Sequence, residues 1–117
     1  MNTYNPLLTD FYQLTMAYGY FKLNMHETRA NFHLIFRSHP FKGNYAIACG
    51  LDSIIAFLRE WRFAANDVDY LATLKTPKGN PLFSLEFLQY LSQLEFSCDV
   101  HAVPEGNVVF AHTIIAH

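Results

Sequence analysis

The spacing of apolar residues changes along this chain, and this change constrains the fold more than any other feature. In some segments they recur every three to four residues, as on a helix face, and in others every second residue, as on a strand. Helices are expected over 10–20, over 52–61, from Asn66 or Asp67 to near Leu74, and after a Ser84 cap; strands are expected over 30–37, 45–49, 98–103, 108–112 and 113–117. This order predicts an α+β fold, an antiparallel sheet with packed helices.

Turn-forming residues suggest which strands pair. The sequence Pro104-Glu105-Gly106-Asn107 favours a hairpin between 98–103 and 108–112. Pairing of 30–37 with 45–49 is compatible with the turn-rich stretch between them, but nothing forces it. Phe32, Leu34 and Phe36 share one face of their strand, which predicts that this face is buried.

Composition limits the function classes. The 117 residues are enough for one domain, and 51% hydrophobic residues allow a sizeable core. A net charge of −2 with scattered Lys and Arg excludes an electrostatic footprint for nucleic acid or an anionic membrane. Neither a signal peptide nor a membrane-spanning run is recognised. Cys49 and Cys98 are expected to be reduced and buried in a cytoplasmic protein. The chain stops inside the apolar run 114–116, which favours a fragment over a completed sheet.

The first helix carries an unusual set of polar and aromatic groups. Thr9 is a suitable N-cap, and Asp10, Tyr12 and Gln13 follow it in the first turn. A flat ring beside a helix N-terminus is suited to a flat anionic ligand. The alternative is a helix that simply packs its aromatic residues, with Phe11, Leu14, Thr15 and Tyr18 on one face. The residues alone favour packing.

Other chemistry is weakly signalled. His33, His101 and His112 lie on expected strands without the spacing of a metal site, so no metal is predicted. No nucleophile elbow and no glycine-rich phosphate loop occur, which disfavours a self-contained enzyme and leaves no catalytic residue to name. Arg37 precedes a proline turn, where a guanidinium can clamp a phosphate or carboxylate, although a salt bridge at a sheet edge is favoured.

Taken together, several blocks resemble one family, nicotinate phosphoribosyltransferase. The blocks keep the order and spacing of that family over nearly the whole chain, which makes the joint signal specific. They are 7–20, 32–37 followed by Pro40-Phe41, Gly50-Leu51, 86–91, and 103–106 followed by Val109-Phe110. The resemblance implies that 1–117 is the N-terminal domain of such an enzyme, truncated before its α/β barrel.

The family forms nicotinate mononucleotide from nicotinate and 5-phosphoribosyl 1-pyrophosphate, with ATP hydrolysis, in NAD salvage. The resemblance implies a homodimer in which the N-terminal domain helps to complete the partner's active site. It also implies that Tyr12 stacks on nicotinate and that Asp10 is its neighbour in the motif. Of its own residues, the chain offers Arg37 or Asp10 as polar support for the substrate. No cofactor is expected in this chain, whereas ATP and Mg²⁺ are implied for the full-length enzyme.

Two departures from the family pattern keep alternatives open. The end of the chain, 111–117, diverges from the family, and the turn at 42–44 lacks the usual glycine-rich form. The parts that bind phosphoribosyl pyrophosphate are absent, so the chain alone is expected to be inactive. The alternatives are a stand-alone interaction module that self-associates, and a related phosphoribosyltransferase acting on nicotinamide or quinolinate.

Overall fold

The computed structural model describes residues 5–117 of the chain. The regular elements of this part are four α-helices, one short 3-10 helix (Pro40–Lys42) and a two-stranded antiparallel sheet. The first four residues of the predicted domain lie outside this part. The helices are α1 (Phe11–Lys22), α2 (Leu51–Glu60), α3 (Ala65–Thr73) and α4 (Leu85–Gln93), and the strands are β1 (Ala46–Ile47) and β2 (Val108–Val109). The α+β prediction is confirmed, and the three later helices match their predicted positions within a few residues.

The described chain divides into two units, of which the first is helical and includes residues up to 28 and residues 60–96. Its core centres on Phe87, which is fully buried. Four aromatic rings lie with their centroids 5.0–6.5 Å from that of Phe87, and they belong to Tyr18, Phe21, Phe83 and Tyr90. Leucine side chains from three helices complete the core: Leu14 of α1, Leu71 of α3, and Leu88 and Leu91 of α4.

Polar groups fix where α3 and α4 begin. Ser84 is the N-cap of α4, as predicted, and its Oγ accepts a hydrogen bond from the Phe87 amide at 3.4 Å. The prediction that Asn66 or Asp67 caps α3 is wrong, because the N-cap is Ala64. Asp67 lies one turn inside the helix and reaches back, so that its Oδ2 accepts from the Ala64 amide at 2.8 Å.

Two pKa values in the helical unit depart from their usual range. Hydrogen bonds from its own backbone amide and from Ser84 lower the pKa of the Glu86 carboxyl. Burial, reinforced by the negative charge of Glu27, raises the pKa of Tyr90. The phenol of Tyr90 therefore stays protonated to higher pH in the folded chain than in the unfolded one.

The second unit contains residues 29–59 and 97–117, and its strand pairing differs from the prediction. β1 pairs with β2 in the register Ala46↔Val109 and Ile47↔Val108. Residues 101–103 bond instead to 115–117, so the predicted hairpin between 98–103 and 108–112 is wrong. The turn itself forms, but its Gly106 amide donates to the carbonyl of Ala48 at 2.8 Å. The residues that follow the turn therefore pair with 46–48, and not with 98–103.

The segment 30–37 forms only one isolated bridge, between Leu34 and Ala116, and not the predicted strand. The expectation of a buried face is also wrong, since Phe32 and Leu34 are 80% and 59% exposed and only Phe36 is partly buried. Val109 is the only buried hydrophobic residue among the described residues of this unit. A two-stranded sheet offers too little surface to cover the apolar face of such a segment, so most of that face stays exposed.

Both cysteines are free thiols, but the expectation that they are buried is wrong. Cys49 and Cys98 are exposed in the second unit. Cys49 follows β1, and Cys98 lies in the irregular stretch before the 101–103 bonds. Neither packs into a core, because the strands beside them cover little apolar surface.

Candidate ligand-binding site

Tyr12 presents an open aromatic face at the start of α1. It is the second residue of the helix and is 57% exposed. Its carbonyl accepts the hydroxyl of Thr15 at 2.9 Å, which stiffens the first turn. Within residues 5–117 no other ring packs on Tyr12, so the ring is free to stack on a flat ligand.

Asp10 directly precedes α1 and takes the N-cap position that the sequence assigned to Thr9, so that assignment is wrong. Its backbone is extended, with φ −70° and ψ 138°, and its carbonyl accepts the Gln13 amide at 3.0 Å. The Asp10 carboxylate is exposed and accepts no capping hydrogen bond. It therefore remains available as an acceptor at the start of α1.

The outer side of α1 is apolar, a feature that the sequence analysis missed. Only the face of Leu14, Tyr18 and Phe21 packs into the core. The exposed apolar and aromatic side chains of the helix are Phe11, Tyr12, Met16 and Tyr20, and Leu8, which precedes the helix, is exposed as well. The signal was present in the sequence as apolar residues on both faces of one helix, which is typical of a helix that meets two surfaces.

Arg37 lies in the second unit, on the exposed stretch after the Leu34 bridge. The carbonyl of the preceding Phe36 accepts the His112 amide at 2.9 Å. Arg37 forms no ion pair with any carboxylate of residues 5–117, which makes the favoured salt-bridge interpretation wrong for the described chain. The guanidinium is exposed and available to an anion.

The strand histidines divide into two groups. His101 stacks on His117 with ring centroids 5.1 Å apart, and His33 meets the edge of the same ring at 6.0 Å. His112 does not join them, because its backbone turns with φ 64°. The described residues contain no group of three or more side chains that could hold a metal ion.

Comparison with known proteins places the chain in a class of phosphoribosyltransferases. Residues 7–116 match the model of the family described as nicotinate phosphoribosyltransferase (NAPRTase) N-terminal domain. The chain belongs to this family. The match includes the helix that carries Asp10 and Tyr12 and the stretch that carries Arg37.

Individual relatives give the same family. The nicotinate phosphoribosyltransferase of Homo sapiens is 43% identical over 105 residues, which are 90% of this chain and 19% of that protein. Those of Caenorhabditis elegans and Dictyostelium discoideum are 40% and 41% identical over 106 residues, 90% of this chain and 18% and 17% of those proteins. The chain thus spans less than a fifth of the length of these relatives.

None of the helices within residues 5–117 has the length and apolar character of a membrane span.

Proposed function

We propose that this chain supplies the N-terminal part of an enzyme that forms nicotinate mononucleotide from nicotinate and 5-phosphoribosyl 1-pyrophosphate, with ATP hydrolysis, in NAD salvage. The family match over 7–116 and the printed names of the relatives support the reaction. The single structural observation behind it is the exposed ring of Tyr12 in the first turn of α1, at the helix start where the Asp10 carboxylate forms no capping hydrogen bond.

In this proposal Tyr12 stacks on the pyridine ring of nicotinate. An offset aromatic pair adds roughly 0.5–1.5 kcal/mol beyond the area it buries, and it selects flat ligands over puckered ones. The position suits an anion as well, because the first amides of a helix have no acceptor inside the helix and carry its positive dipole end.

Asp10 and Arg37 have complementary chemistry in this proposal, since one accepts hydrogen bonds and the other donates them. A carboxylate only accepts hydrogen bonds, so Asp10 contacts donors of the substrates, such as ribosyl hydroxyls, and does not contact the nicotinate carboxylate, which it would repel. Arg37 offers the opposite chemistry, a planar fork of donors that matches phosphate or carboxylate oxygens.

The reaction needs groups that this chain does not carry. Its glycines are dispersed and build no phosphate-binding loop. We therefore propose that turnover requires a catalytic barrel, ATP with Mg²⁺, and a homodimer in which Tyr12 completes a site on the partner, all in the cytoplasm. The purified chain alone is expected to show no transferase activity, and nicotinate turnover by it would refute this.

A chimera tests the role of Tyr12 directly. The aligned region of the human relative is replaced by residues 7–116 of this chain, and the formation of nicotinate mononucleotide is measured. Loss of one stacking contact of about 1.4 kcal/mol raises the KM for nicotinate roughly tenfold in Tyr12→Ala. Tyr12→Phe keeps the ring and is expected to keep the KM.

The matched control is Tyr70→Ala, because Tyr70 of α3 is 56% exposed and thus nearly as open as Tyr12. It is expected to leave the KM unchanged. An unchanged KM in Tyr12→Ala, or an equal rise in Tyr70→Ala, would contradict the stacking role. Offering nicotinamide and quinolinate to the same chimera decides between nicotinate and the related bases.

The exposed apolar side of α1 favours a second candidate, a non-catalytic module that self-associates. That candidate predicts a stable dimer of the chain in sedimentation, and it predicts that the chimera forms no product. Product formation that depends on Tyr12 would exclude it.

A further inference from the structure

The turn that carries Arg37 is fastened to residues 111 and 112 on both sides of the arginine. On one side, the Phe36 carbonyl accepts the His112 amide at 2.9 Å. On the other, the imidazole Nε2 of His39 accepts the Ala111 amide at 3.2 Å, a contact between residues 72 positions apart. The ring of His39 also meets the ring of Phe36 edge-on at 5.6 Å.

The second bond requires one protonation state of the imidazole. Nε2 accepts a hydrogen bond only when the ring is neutral and its proton is on Nδ1. When the ring is protonated, both nitrogens are donors, and Nε2 then opposes the Ala111 amide with a hydrogen of its own. The hydrogen bond is therefore present with neutral His39 and lost with the imidazolium form.

The two joined segments offer the imidazolium no partner of opposite charge. Besides His39 itself, the ionisable residues of 36–43 and 108–114 are Arg37, Lys42 and His112, each of which carries or can gain positive charge. Neither segment contains a carboxylate, and within residues 5–117 His39 forms no ion pair. Protonation thus removes one bond, and the two segments supply no carboxylate to stabilise the new charge.

The backbone at this contact is strained, so the loss of one bond affects the whole turn. Phe41 and Lys42 have φ of 56° and 58°, and His112 on the facing segment has φ of 64°. Residues other than glycine adopt this left-handed region mainly where surrounding contacts hold them there. Apart from the two fastening bonds, the turn has one internal bond, from the Gly43 amide to the Pro40 carbonyl at 3.0 Å.

We infer that His39 is a positioning residue for Arg37: its neutral imidazole holds the turn against residue 111, and protonation releases it. Histidine is the side chain that ordinarily changes charge between about pH 5 and pH 8, so acidification over that range is the perturbation that tests the release. The inference stands apart from the proposed function, and only the anion that Arg37 would bind depends on it.

Amide hydrogen exchange in the 117-residue chain, followed by NMR, tests this inference. Between about pH 7.5 and about pH 5 we expect the protection factor of the Ala111 amide to fall roughly fivefold, the factor for one ordinary hydrogen bond. The midpoint should coincide with the titration of the His39 ring, and the Arg37 amide shift should move with it. The Leu91 amide, in the helical core, should keep its protection and so exclude general acid unfolding.

Two variants give matched controls. His39→Gln replaces Nε2 with a carboxamide oxygen that accepts at every pH, so the protection of Ala111 should no longer depend on pH. His33→Gln removes an imidazole that accepts no hydrogen bond within the described residues, and it should behave like the parent chain. If His39 titrates while Ala111 keeps its protection, or if His39→Gln shows the same fall, the inference is wrong. The titration of the parent chain decides this even if a variant does not fold.

Discussion

The aromatic cluster around Phe87 should dominate the stability of the helical unit, and Phe87→Ala tests this. Phe87 is fully buried and has four aromatic neighbours, so truncation removes a whole ring from a packed site. Such truncations cost about 3–5 kcal/mol, a large share of the roughly 5–15 kcal/mol that keeps a domain folded. Phe87→Leu keeps most of the volume and loses the ring pairs, for which we expect about 1–2 kcal/mol.

The measurement is urea unfolding followed by the fluorescence of Trp61, the single tryptophan, which lies in the same unit with its ring 5.5 Å from that of Phe63. The free energies are compared from midpoints at a common slope. Phe41→Ala is the control, because Phe41 is 100% exposed and its truncation should change stability by less than about 0.5 kcal/mol. A cost below about 1 kcal/mol for Phe87→Ala, or an equal cost for Phe41→Ala, would refute the reasoning.

Three further perturbations have defined outcomes. Ser84→Ala removes the N-cap of α4 and should cost about 1 kcal/mol in urea unfolding, whereas Ser92→Ala, at a hydroxyl that only donates to a helix carbonyl, should cost less. Glu105→Ala removes the carboxylate that accepts the Leu51 amide at the start of α2; faster exchange of that amide is expected, and Glu105→Gln should restore part of its protection. The raised pKa of Tyr90 means that its contribution to stability is complete below the unfolded pKa and is lost as pH rises through the folded one. Tyr90→Phe should therefore flatten the loss of stability in alkaline titration, and an unchanged alkaline profile would contradict this.

Helices were predictable here because their signals are local. The spacing of apolar residues in 52–61 and the Ser84 cap depend on neighbours within one or two turns, and both are confirmed. The predicted cap of α3 is wrong for a reason that is also local. An aspartate can bond to the free amides at a helix start either from the N-cap or from one turn inside the helix, and the sequence does not distinguish these two positions for Asp67.

Strand partners were not predictable in the same way. The turn at 104–107 gives a correct change of direction, but the partner of β2 is β1, which lies far back in the sequence. Alternation identifies a strand-like segment without naming its neighbour, and two-residue strands specify register weakly.

The candidate site also has a part that follows from local sequence and a part that depends on tertiary contacts. Asp10 and Tyr12 are two residues apart at one helix start, so their shared position follows from the sequence. Their roles in ligand binding stay a prediction from the family resemblance. The availability of Arg37 depends on the contacts of His39 and on which carboxylates fold nearby, which are tertiary facts.

The discontinuous build of the second unit has a consequence for the order of folding. The Glu105 carboxylate reaches the Leu51 amide across 54 residues, and His39 reaches Ala111 across 72. Closing such long loops costs chain entropy before the contacts can stabilise the unit. The contacts also cannot form until the later residues have been synthesised. The segments of α3 and α4 lie between those residues and pack on each other through near neighbours in sequence. During synthesis, α3 and α4 can therefore pack on each other before residues 29–59 gain their contacts with 97–117.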